Sequence, residues 1–167
     1  MVILFSNRKS KLEKEITEIL TAWGADFISD KSVTVTGGYF TVAICYKKTD
    51  LNIKKGIVLI LDDTEKFIDL ILPQTLCGIC EDTNINAIKV FSKNKIPVVT
   101  CGINQKNTLT FSSIDKKEFA ITLQREITDI NGNGIMPADF ILSFEKSYSP
   151  QAVLLSCAVL CLLGIEL

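Results

Sequence analysis

Residues 75–102 read TLCGICEDTNINAIKVFSKNKIPVVTCG, and this stretch decides the fold. TLCGIC (75–80) is an apolar run that stops at Glu81-Asp82. Asn84 then stands where a helix cap belongs, and INAIKVFSKNK follows with helical spacing. Ile85 and Ile88, with Val90 or Phe91, are expected on the inner face of that helix. IPVVTC (96–101) is a second apolar run and ends at Gly102. Strand, polar turn, helix and strand in this order describe a parallel α/β unit. Neither run alternates, which predicts strands buried on both faces.

The same grammar extends toward the N-terminus. VILF (2–5) is a short buried strand. Ser10 with Glu13 three residues on forms a capping box, and Leu12, Ile16, Ile19, Leu20 and Trp23 fall on one helical face before Gly24. DFIS is a second strand. SVTVTGGYFTVAICY alternates around Gly37-Gly38, and GIVLIL (56–61) is a continuous strand that ends at Asp62-Asp63. EKFIDLIL is expected as a short helix closed by Pro73. Past residue 102 the period becomes two. NTLTFSSI, EFAITLQREI and DFILSFE alternate, and INGNGI marks a hairpin. SPQAVLLSCAVLCLLG (149–164) is apolar on nearly every side, too short to span a bilayer comfortably, and is expected as a core helix. The expected architecture is therefore a single α/β domain over 1–167. It has three layers, a mainly parallel Rossmann-like sheet flanked by helices, and an antiparallel β portion at about 108–144.

Composition narrows the chemistry. The chain has 167 residues, 47% hydrophobic and 22% charged, with a net charge of −1, so a packed core is expected and a nucleic-acid partner is not. There is no histidine, which removes the commonest general base and metal ligand. Met1 leads straight into VILFSN, so no signal peptide is expected. The six cysteines then read as free thiols in a cytoplasmic protein. Cys77-Gly78-Ile79-Cys80 is a C-x-x-C inside a strand, where its two thiols point to opposite faces, which suits neither a redox helix terminus nor a metal site. VLILDD resembles a strand-end carboxylate motif that holds magnesium. Its companion glycine-rich phosphate loop is absent, and SNRKSK stands after the first strand instead.

The segments GICEDTNINAIKVFSKNKIPVVTCG (78–102), TLTFSSIDKKEFAITLQREITDINGNGIMPADFILSF (108–144) and YSPQAVLLSCAVLCLLGIEL (148–167) form an ordered set. That set resembles the ATP-binding central domain of the Mur ligases, the amide-bond-forming family that includes the folylpolyglutamate synthetases. The resemblance implies an ATP-binding fold, but the family's catalytic parts do not carry over. SNRKSK replaces the phosphate loop. The magnesium-binding Glu and His and the carbamylated Lys have no counterpart. Ser149, Pro150 and Gln151 stand where the family's last helix opens with asparagines. No counterpart of the C-terminal domain that carries the amino-acid substrate is expected.

The expectation is a degenerate nucleotide-binding fold, a non-catalytic Mur ligase-like binding or regulatory module with no cofactor, no metal and no catalytic residue. Two alternatives stay open: a small nucleotide- or sugar-nucleotide-binding enzyme using strand-end carboxylates, and a structural homo-oligomeric interaction protein. A small molecule and self-association are compatible with the sequence, whereas a membrane partner is not expected. Parallel strands end together, so the candidate ligand residues are those of the strand-end turns: Ser6, Asn7, Arg8, Lys9, Asp62, Asp63, Glu81, Asp82, Asn84 and Gly102. An anion is expected near the helix that follows Ser10, and a hydroxyl-rich or cationic group near the carboxylates.

Overall fold

A computed structural model describes residues 1–7 and 10–167. Arg8 and Lys9, two of the candidate site residues, lie outside the described residues.

The chain enters the middle of a sheet. Strand β1 (Val2–Phe5) leads to helix α1 (Lys11–Ala22), then β2 (Ala25–Ser29), β3 (Val33–Thr34), β4 (Phe40–Cys45) and β5 (Gly56–Ile60). A single 3-10 turn at Glu65–Phe67 precedes β6 (Leu76–Glu81), α2 (Ile85–Lys93) and β7 (Val98–Cys101). The rest is β8 (Leu109–Ile114), β9 (Glu118–Leu123), a small β10 (Ile127–Thr128) and β11 (Gly134–Ile135) hairpin, β12 (Ala138–Ser143) and α3 (Pro150–Leu163). Ten strands form one sheet in the order β12-β9-β8-β7-β6-β5-β1-β4-β2-β3. From β2 through β8 neighbours run parallel, while β3 at one end and β9 and β12 at the other are antiparallel. The predicted mainly parallel three-layer α/β fold is present, and the antiparallel portion continues the same sheet.

Side-chain alternation sorts the strands' apolar residues into two cores. Val2, Leu4, Leu59, Ile79 and Val99 face α1 and α3, whereas Ile3, Phe5, Val58, Ile60 and Cys80 face α2 and the 3-10 turn. Cys77 packs on the first core and Cys80 within the second, the opposite facing read from the C-x-x-C spacing. Among the described residues no helix is long and apolar enough to cross a membrane. Helix α3 is buried from Ala152 to Leu162, a core helix, and Gly164 closes it in the left-handed region at φ 72°.

Local expectations fail in two places. The helix expected over EKFIDLIL contracts to one 3-10 turn, and Phe67, Leu70 and Leu72 fill the core from irregular backbone. Helix α2 is rotated from the expected face: Ala87, Val90 and Phe91 are buried while Ile85 and Ile88 are exposed. Gly78 sets that rotation, since a Cβ there would lie 2.8 Å from the Phe91 ring, so its absence makes the slot the ring fills. Trp23, half-buried at the end of α1, packs with Leu12 against the same core as Ile16, Ile19 and Leu20, the expected face.

Candidate functional site

Strands β1, β4, β5, β6 and β7 run parallel, so the turns after them share one edge of the sheet. The chain order reverses across β1 and β5, with α1 leaving β1 on one face and the 3-10 turn following β5 on the other. In open α/β sheets such a switch point opens the crevice that takes ligands.

Among the described residues, several polar groups at that switch point are bonded to one another. The peptide N–H of Asn7, the first residue of the loop toward α1 after buried Ser6, donates to the Asp62 carboxylate. Lys66 donates to the Asn7 side-chain carbonyl at 3.3 Å. Asp63 accepts the Asn86 N–H at 3.0 Å, a carboxylate at the entrance of α2. Asn84 is 2% exposed and fully engaged: its oxygen caps the Ala87 N–H at 2.9 Å and its amide donates to the Ile60 carbonyl at 3.2 Å. Ser10 accepts the Glu13 N–H at 3.0 Å, the predicted cap. These partners tie β1, β5 and α2 together and leave the Asp62 carboxylate on a backbone N–H that an anion would need.

Two strands away the geometry differs. Glu81 ends β6, half-buried beneath the first turn of α3. Burial pushes its pKa up, the hydrogen bond from the Gln151 side chain works against that, and the neighbouring Asp82 charge adds to the rise. Asp82 accepts the Asn107 amide at 2.8 Å. Gly102 permits this approach, because a Cβ would sit 2.6 Å from the Asp82 carboxylate and 2.5 Å from the Asn107 amide nitrogen. Together Glu81, Asp82, Thr83, Gly102 and Gln151, with Ile103, Phe111 and Leu154 as apolar wall, line a cavity of about 230 Å³. Asn7, Asp62 and Asp63 are not among its walls.

The candidates therefore divide. Asn7, Asp62, Asp63 and Asn84 are drawn into a structural cluster around β1, β5 and α2, while Glu81, Asp82 and Gly102 share a cavity. Sequence reasoning missed Asn107 and Phe111 and gave Gln151 no role in the site. The one available signal was Gln151's place where the resemblance expects a helix-opening asparagine. Asn107 sits in an NQKN turn that reads only as solvated loop.

Larger clefts lie elsewhere. One of about 530 Å³ opens at the opposite edge of the sheet, beside Gly56, Thr75, Pro97, Arg125 and Asp129. Another, of about 670 Å³, separates α1 from the β2 and β3 edge. At its base Tyr46 donates to Glu13 at 2.8 Å, and burial together with that carboxylate pushes the phenol up to about 12. The smaller cavity is favoured because it joins a carboxyl of raised pKa to a second carboxylate at the C-terminal strand ends.

The described residues do not fit a magnesium-nucleotide clamp. Among the described residues no group of three or more His, Cys, Asp or Glu could hold a metal ion. The strand-end carboxylates are turned onto Asn7, Asn86, Asn107 and Gln151. All six cysteines are free. Burial raises Cys77 to about 11, and raises Cys80 to about 12 with the charges of Glu81 and Asp82 behind it, so neither is a ready thiolate.

No protein-family model matches the sequence and no curated protein matches it. Among solved structures, the fold is similar to UDP-N-acetylmuramate:L-alanyl-gamma-D-glutamyl-meso-diaminopimelate ligase (MPL) from Neisseria meningitides, with a TM-score of 0.59 and 10% identity. That likeness covers 99% of this chain and 62% of the ligase. The fold is Mur ligase-like.

Proposed function

We propose that this chain is a non-catalytic, Mur ligase-like binding module of the cytoplasm that holds a small hydroxyl-rich ligand over the ends of β6 and β7. The observation that carries the reading is the pairing of Glu81, held by Gln151, with Asp82, held by Asn107, across a cavity against which Gly102 leaves no side chain. Two carboxylates accept hydrogen bonds from ligand hydroxyls, while Phe111, Ile103 and Leu154 supply an apolar wall. A cavity of about 230 Å³ falls below the roughly 300–1,000 Å³ of sites that enclose a whole drug-sized molecule. It suits one ring or a short polyol segment, with any larger remainder lying outside. The contact in the β1 and β5 crevice, where the Asp62 carboxylate takes the Asn7 N–H, supports a reading without phosphoryl transfer.

A second reading, a small enzyme working on a nucleotide or sugar nucleotide, draws support from Glu81 alone. A carboxyl with a raised pKa beside a second carboxylate is a pattern used for acid and base catalysis. A thermal-shift screen with nucleotides, sugar nucleotides, free sugars and divalent cations separates the two. A sugar-bearing compound is expected to raise the Tm of the parent and not of Asp82→Ala, with no turnover. Stabilisation that survives in Asp82→Ala overturns the site, and turnover lost in Glu81→Gln favours the enzyme.

A further inference from the structure

The ten-stranded sheet has two ends of different construction. One is β3, only two residues long. The other is β12, six residues in continuous register with β9, with no proline, lysine or bulge inside it. Natural sheets blunt their edges with such devices, so a regular uncovered edge is a template for another strand.

Which backbone groups face outward follows from one bond. Phe144 N–H donates to Lys117 C=O at 2.9 Å, so even-numbered residues of this strand pair toward β9. Alternation then turns the N–H and C=O of Asp139, Ile141 and Ser143 toward the open edge. All three residues are exposed, Ile141 at 69%.

We infer that β12 pairs with β12 of a second copy of this chain, antiparallel, with Ile141 on the two-fold axis. This register is selected by the residues themselves. It places Asp139 opposite the partner's Ser143 at both ends and Ile141 opposite itself, so three facing pairs exchange all six outward groups. The Ser143 hydroxyl donates to the facing Asp139 carboxylate, whose other contact is the Thr122 hydroxyl at 2.6 Å. On the α3 face, half-buried Phe140 meets the partner's Leu142. Sliding one copy by two residues loses this match. In one direction Pro137, which has no N–H, comes opposite Ser143, and Asp139 comes opposite Ile141. In the other, Asp139 meets Glu145, like charge against like. The inference is independent of the ligand site, which lies beyond β8 and β9 from this edge.

Sedimentation of the full chain over a concentration series tests the pairing. The parent is expected to dimerise reversibly, and Ile141→Pro, present in both copies, to weaken dimerisation by about tenfold or more by removing both bonds of the pair at the axis. The outward N–H at this position is not used by β9, so circular dichroism of the variant should match the parent. Register is tested by oxidation. Cα atoms of a hydrogen-bonded antiparallel pair lie about 5.5 Å apart, within disulfide reach. Ile141→Cys should therefore cross-link two chains through the introduced thiols, whereas Asp139→Cys and the parent should not. A parent that stays monomeric throughout the series overturns the inference. So does a dimer that Ile141→Pro leaves intact, or cross-linking of Asp139→Cys equal to that of Ile141→Cys.

Discussion

At Gly102 a missing side chain does the work. Its sequence context, a glycine ending an apolar strand, marked it as a strand-end turn and so as a candidate ligand residue, but gave no reason for glycine. The reason for glycine is a contact 20 residues away in sequence, with the Asp82 carboxylate whose Asn107 partner no local pattern announces. Gly102→Ala is expected to cost about 1–3 kcal/mol, by separating Asp82 from Asn107, in urea unfolding. Glu81 was legible as a strand-end carboxylate, but its raised pKa was not, because burial under α3 and the Gln151 bond are tertiary. A carboxyl whose pKa is higher folded than unfolded contributes stability below its ordinary value of 4.5, and that contribution is lost as pH rises through the folded pKa. Replacing it by an uncharged amide removes this loss. Glu81→Gln should therefore gain Tm relative to the parent as pH is raised from below 4.5 to 7, in thermal unfolding across that range.

At the scale of elements, helix starts were the most legible feature, because a cap is a local event. Ser10, Asn84 and Ser149 each cap the helix the sequence assigned to them. What caps the cap was hidden. Glu15 of α1 accepts both the Ser149 N–H, at 3.1 Å, and the Ser149 hydroxyl, joining the starts of α1 and α3. Burial would push its pKa up, but the Ser149 bonds and the Lys11 charge outweigh it and hold it below the ordinary carboxylate value. Such a group stabilises the fold above its unfolded pKa, and the effect is lost as pH falls through the folded pKa. Glu15→Ala is expected to cost about 1.5–3 kcal/mol at neutral pH, with the gap to the parent closing in acid, in denaturant unfolding at several pH values. Asn84→Ala removes a cap and strands the buried Ile60 carbonyl, for about 1–3 kcal/mol by the same measurement. The rotation of α2 was illegible, since two apolar stripes compete on that helix and the slot left by Gly78 chooses between them.

For the whole molecule, unbroken apolar runs and the later period-two stretches were enough to give a parallel sheet with an antiparallel end. They did not show that both belong to one sheet, because the join rests on a short β7 to β8 pairing at Cys101 and Leu109. Nor could the shared strand edge, predicted from topology, foretell that it would split into a tied crevice over β1 and β5 and an open cavity over β6 and β7. Which of these the molecule uses is tested most directly by mapping amide chemical shifts during titration with a sugar nucleotide. The largest changes are expected at Glu81, Asp82, Thr83, Gly102 and Gln151, with no nucleoside diphosphate released. Absence of binding, or changes centred on Thr75, Arg125 and Asp129 at the opposite edge of the sheet, would contradict a ligand site at the strand ends.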